Sequence, residues 1–141
     1  MLTGINIYEA KPYVSKYDTD KNNPTTFQIG ALDPFLRSYI DDQTTSLKFS
    51  SKNPNELAEA NILVSKRNLL AVKFGIRDIQ NLGDPQTNKP VKFDTVSTSI
   101  NGKNFPAVSD EIIKMLPKDL IDELAEVILS ANKLTEEEVK N

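Results

Sequence analysis

Neither cysteine nor histidine occurs anywhere in the 141 residues, so no disulfide and no thiolate or imidazole metal site can staple this chain. Whatever it folds into must be held by apolar burial and hydrogen bonding, and a chain of this length can bury enough core for one domain. The hydrophobic set makes up 38% and charged residues 26%, more polar than an average globular domain but outside the composition of a disordered one. The same two absences prune the chemistry. Ser-His-Asp and Cys-His catalysis are excluded, leaving carboxylate, lysine or tyrosine chemistry and a metal held by oxygen.

The net charge of -3 argues against a nucleic-acid partner, because phosphate binding depends on Lys and Arg. Lys66, Arg67, Lys73 and Arg77 are spread along an amphipathic segment and read as a solvated helix face. There is no apolar run near the roughly 20 residues of a membrane helix, and no basic region followed by an apolar stretch at the start. A soluble cytoplasmic protein made without processing is the expectation.

Pattern and punctuation predict an α+β fold in which a small antiparallel sheet and hairpins pack with helices and the C-terminus is helical. Residues 1–24 are polar and rich in turn formers, which predicts an arm or loop. The single domain would span 25–134, with an acidic tail over 135–141. Thr25 to Ile29 alternates as a strand ending at Gly30. Asp33-Pro34 is an N-cap followed by proline at the first helical position, predicting a helix to about Asp42. Ser46 to Ser50 alternates again, a candidate neighbour for the first strand. A long helix is predicted from Glu56 to Phe74 with Gly75 as C-cap and Ile76, Ile79 and Leu82 packing behind it. Val91 to Phe93 and Val96 to Ile100 read as strand, and Asn101-Gly102 as a tight hairpin turn into Asn104 to Val108. Pro106 places that last strand at an edge. Ser109 and Pro117 open two C-terminal helices, the second reaching about Ala131.

The metal-like string Asp18-x-Asp20-x-Asn22 matches the start of a calcium loop, but Asn23 stands where glycine is needed and Ile29 where a bidentate glutamate is needed, so a solvated turn is preferred. Asp41 and Asp42 diverge on a helix by about 100° and do not face each other as a catalytic pair. Ser130-x-x-Lys133 has the spacing of an acylation motif but no second motif to complete a site. No glycine has the spacing of a nucleotide fingerprint. No catalytic residue, cofactor or metal is assigned. Two features suit a protein partner. The stripe Leu120, Leu124, Val127, Ile128 of the last helix is core or a binding face, with core preferred. Tyr8, Tyr13 and Tyr17 lie in a segment lacking a core pattern and must pack on something.

Three stretches together carry a resemblance: Tyr13 to Asp18 followed by Pro24 to Phe27; Lys66-Arg67-Asn68 leading to Val72-Lys73-Phe74-Gly75; and Leu116-Pro117 through Leu134 to the acidic end and Lys140-Asn141. This layout resembles the tail assembly chaperones of tailed bacteriophages. The resemblance implies a non-enzymatic assembly factor that coats the hydrophobic, helical tape-measure protein, or another tail protein, and forms a homo-oligomer along that client. A neck, tail or capsid accessory component, or a stoichiometric inhibitor of a bacterial defence protein, is the alternative it leaves open. Amphipathicity and aromatic content give Tyr13, Tyr17, Leu120, Leu124, Ile128 and Leu129 as the interface candidates.

Overall fold

The computed structural model describes residues 1–44 and 54–131. In chain order it holds β1 (Ala10–Tyr13), β2 (Thr26–Gly30), α1 (Pro34–Thr44), α2 (Pro54–Gly75), β3 (Ile76–Gln80), β4 (Thr95–Ile100), β5 (Lys103–Val108), α3 (Asp110–Ile113) and α4 (Lys118–Ser130). The strands form two antiparallel sheets, β1-β2-β3 and β4-β5. The fold is α+β with a helical C-terminus.

β2 forms because its residues alternate: Phe27 and Ile29 are buried, while Thr26 and Gln28 between them are only half-buried, the period of a strand with one face on a core. Its neighbours are not those the pattern suggests. Lys11 pairs with Ile29 and Tyr13 with Phe27 on one side, so the segment read as an arm or loop contains a strand. Ile79 pairs with Phe27 on the other side. Of the residues expected to pack behind the long helix, Ile76 and Ile79 are in a strand that follows Gly75 without a loop, and Leu82 lies two residues past its end. Ser46 to Ser50 lies outside the described residues. Val91 to Phe93 is not in a named strand; an isolated bridge joins Gly83 to Pro90.

The helices follow their caps. Asp33 Oδ1 accepts from the Phe35 N–H at 2.7 Å, opening α1, whose Leu36 and Ile40 are buried one turn apart. Ser109 is the N-cap of α3 by position, but its side chain makes no capping bond; its N–H instead donates to Asp94 O at 3.1 Å. Pro117 precedes α4 as the N-cap residue and not as its first helical residue. Asn101 and Gly102 have φ of 51° and 81°, the left-handed pair a two-residue hairpin turn requires.

The core lies where α2 packs against α4, α1 and β5, with Phe27, Leu32, Ile40, Val72, Val108, Leu124 and Ile128 the largest fully buried side chains. Gly75 is not a left-handed cap; among the described glycines only Gly102 has positive φ. Its role is close approach, since a Cβ there would lie 2.5 Å from Ile128 Cγ2. Inside the same crossing the buried Asn68 donates to Asp122 Oδ1 at 2.9 Å. The basic residues read as a solvated helix face separate: Lys73 pairs with Asp110 at 3.4 Å, and Arg77 sits on β3, where Nη2 donates to Ala31 O at 2.7 Å and Ile7 O at 3.1 Å.

Candidate partner-binding cleft

The N-terminal segment is fastened to α4 by one side chain. Glu123 accepts from Tyr13 OH at 2.5 Å, from Ser15 Oγ at 2.6 Å and from the Lys16 N–H at 2.9 Å. Three donors from within four residues of sequence meet a carboxylate more than 100 residues away, which sets where the turn after β1 lies. Ser15, buried by this contact, also accepts from the Tyr17 N–H at 3.1 Å. Tyr17 lines a cleft with Pro117 and Leu120 while remaining 55% exposed, with Lys16 Nζ 5.2 Å from the ring centroid.

Beside this fastening lies a cleft of about 490 Å³, walled by Tyr17, Phe27, Leu82, Pro117 and Leu120, with Asp18 and Asp119 at its polar positions. That volume is within the roughly 300–1,000 Å³ that ligand pockets span. Most of the polar groups that reach the cleft are already engaged in the fold. Thr25 Oγ1 donates to Asn81 O at 2.8 Å. Asp18 accepts from the Thr25 N–H at 2.7 Å and the Asp20 N–H at 3.0 Å, so the calcium-like string is a turn whose carboxylates bind backbone N–H groups. The surface offered is apolar and acidic, with no cationic side chain among its lining residues.

The six interface candidates separate into two groups. Tyr17 and Leu120 share the cleft, and Tyr13 supports it through Glu123. Leu124, Ile128 and Leu129 are in the core, which is the preferred reading of that stripe. Leu124 and Ile128 have no exposed surface for a partner to contact in this fold, and Leu129, 9% exposed, lines a separate polar pocket with Arg67, Asn68 and Ser130. Phe27 and Leu82 complete the cleft and were not candidates. Their only signal is apolar character next to turn residues, and it is the sheet register that brings them to α4.

The other motifs do not assemble a site. Asp41 pairs with Arg37 at 3.3 Å, and Ser130 Oγ donates to Glu126 O at 2.7 Å; Lys133 lies outside the described residues. Among the described residues there is no cluster of carboxylates able to hold a metal, and no helix long and apolar enough to cross a membrane. No family model, curated protein or solved structure matches this chain.

Proposed function

We propose that the protein is a non-catalytic binding module, a bacteriophage tail assembly chaperone, and that its cleft anchors an apolar side chain of a helical client, the tape-measure protein. The observation that carries this reading is the meeting of Tyr17 and Leu120 in one preformed apolar cleft. A helix is about 10–12 Å across, so the cleft takes a side chain or two of the client and not the helix body, the anchor mode of helix-in-groove recognition. Asp18 and Asp119 favour a client with Lys or Arg flanking its apolar anchor.

The test is co-expression with the tape-measure protein of the same genome, followed by affinity purification of wild type, Leu120→Asp and Tyr17→Ala. Both variants are expected to lose the client; Tyr17→Ala, at an exposed position, should keep the wild-type unfolding free energy within about 0.5 kcal/mol, whereas Leu120→Asp, whose side chain packs partly against the core, should cost about 1–2 kcal/mol and still melt cooperatively. Retention of the client by both variants refutes the cleft. Recovery of a folded host protein in place of a helical tail protein replaces the chaperone reading with the inhibitor alternative.

A further inference from the structure

β4 is an edge of a two-stranded ribbon, and its sequence, Thr95-Val96-Ser97-Thr98-Ser99-Ile100, contains no charge, proline or glycine. Edge strands are normally blunted by one of these, because an open row of N–H and C=O groups is a template for another strand. β5 carries Lys103 and Pro106; β4 has no such guard, and Thr95, Val96, Ser97 and Ser99 are exposed.

Which groups β4 offers follows from parity. Opposed residues in an antiparallel pair alternately exchange both hydrogen bonds or direct them outward. Ser97 stands opposite Pro106, which has no N–H, so that pair is of the outward kind. The bond from Ser109 N–H to Asp94 O gives the complementary result: Asp94, and with it Val96, Thr98 and Ile100, bonds inward to β5. Thr95, Ser97 and Ser99 therefore face the open edge. The Thr95 N–H is taken by Asp94 Oδ1 at 2.9 Å, which leaves the Ser97 and Ser99 N–H groups without a protein partner among the described residues.

We infer that the β4 edge is a self-association surface on which β4 of a second copy adds antiparallel about a two-fold axis at Thr98. Only residues of like parity can hydrogen-bond across the new edge. Pairing Ser97 with Ser97 of the second copy would bring Thr95, whose N–H is capped, opposite Ser99. Pairing Ser99 with Ser99 would bring Ser97 opposite Asn101, which is in the left-handed turn. The remaining register sets Ser97 opposite Ser99 of the second copy and uses both free N–H groups of each chain. It places Thr98 against Thr98, and Val96 against Ile100, β-branched pairs of the kind that stabilise sheets. None of the cleft-lining residues belongs to β4, so association and client binding can be tested apart.

The chain contains no cysteine, so single thiols report the register. A Thr98 pair across the axis is a non-hydrogen-bonded pair with Cα atoms about 4.5 Å apart, inside the disulfide range. Under mild oxidation Thr98→Cys is expected to form a disulfide dimer at least about tenfold faster than Asn104→Cys on the exposed side of β5, because association raises the effective thiol concentration. An equimolar mixture of Ser97→Cys and Ser99→Cys is expected to give the mixed dimer ahead of either homodimer. In the unmodified protein, exchange of the Ser97 and Ser99 amides slows as concentration rises. Equal rates for Thr98→Cys and Asn104→Cys, or faster homodimers from Ser97→Cys or Ser99→Cys, overturn the inference. So does amide protection that is independent of concentration, which would place another part of the same chain on the edge.

Discussion

Glu123 is the residue on which the candidate site depends. Burial pushes its carboxyl upward, but the hydrogen bonds from Ser15, Tyr13 and the Lys16 backbone outweigh that and hold it below the ordinary carboxylate value. The same contact acts in reverse on Tyr13: the bond to Glu123, then burial, then the charges of Glu123 and Glu126 push its phenol up to about 12. The two signs define a pH window. A carboxylate with a lowered folded pKa stabilises the fold above its unfolded value of 4.5 and loses that contribution as pH falls through the folded value. A phenol with a raised pKa contributes fully below 10.0 and loses it as pH rises toward about 12. Tyr13→Phe is therefore expected to cost about 1–2 kcal/mol at pH 7, a hydrogen bond to a charged group discounted for partial exposure. In urea denaturation the gap from wild type should close at both ends, below pH 4.5 and between pH 10 and 12. A gap that stays constant across the range would mean that Tyr13 does not bond the carboxylate.

At the scale of elements, the crossing of α2 on α4 turns on Gly75. Alanine is favoured over glycine in a helix interior by about 1 kcal/mol, and Gly75→Ala, at the last residue of α2, would gain at most part of that. Here its Cβ would meet Ile128 at 2.5 to 2.9 Å, against a side chain that is fully buried and has nowhere to turn. Overpacking of this kind costs about 1–3 kcal/mol, and the net effect is expected to be destabilising; a rise in the denaturation midpoint would show that α4 can step back. Gly83→Ala, where nothing lies within 4 Å, is the neutral control. Gly102→Ala should cost about 1 kcal/mol by a separate route, the positive φ of the hairpin turn. The elements with local signals were legible in the sequence: Asp33-Pro34 before α1, Asn101-Gly102 between β4 and β5, and the 3.6-residue stripe of α4. β1 was not, because Ala-Lys-Pro-Tyr has neither alternation nor length and becomes a strand only through its pairing with β2. β3 was missed for the opposite reason: Ile76 and Ile79 stand three apart, a helical spacing, and no breaker separates them from α2 apart from Gly75 itself. The cleft was half legible. Leu120 and Leu124 share one face of α4, and no periodicity tells which end of that face the core covers; it covers the Leu124 end, leaving Leu120 to the cleft.

For the whole molecule the question is whether the first residues are an appendage or part of the fold. Their composition says appendage; their bonds say otherwise. β1 closes one side of β2, Glu123 holds Tyr13, Ser15 and Lys16, and Arg77 holds Ile7, so the segment joins the sheet to the helix that forms the other wall of the cleft. These are contacts between distant parts of the sequence, whose loop-closure entropy must be recovered by the bonds they make. Before Ile7 the chain is exposed, and among the described residues it makes only local bonds, Asn6 to Tyr8 and to Glu9. Deleting residues 1–6 is therefore expected to leave the melting temperature within about 3 °C of the full chain. Deleting residues 1–17 removes the β1 ladder and all three donors to Glu123. At roughly 3–5 °C per kcal/mol for a chain of this size, that deletion should lower the melting temperature by about 10–20 °C and abolish client binding, since Tyr17 goes with it. A chain lacking residues 1–17 that melts with the full-length protein would return the segment to the arm that its composition suggests, and would remove the geometric basis of the cleft.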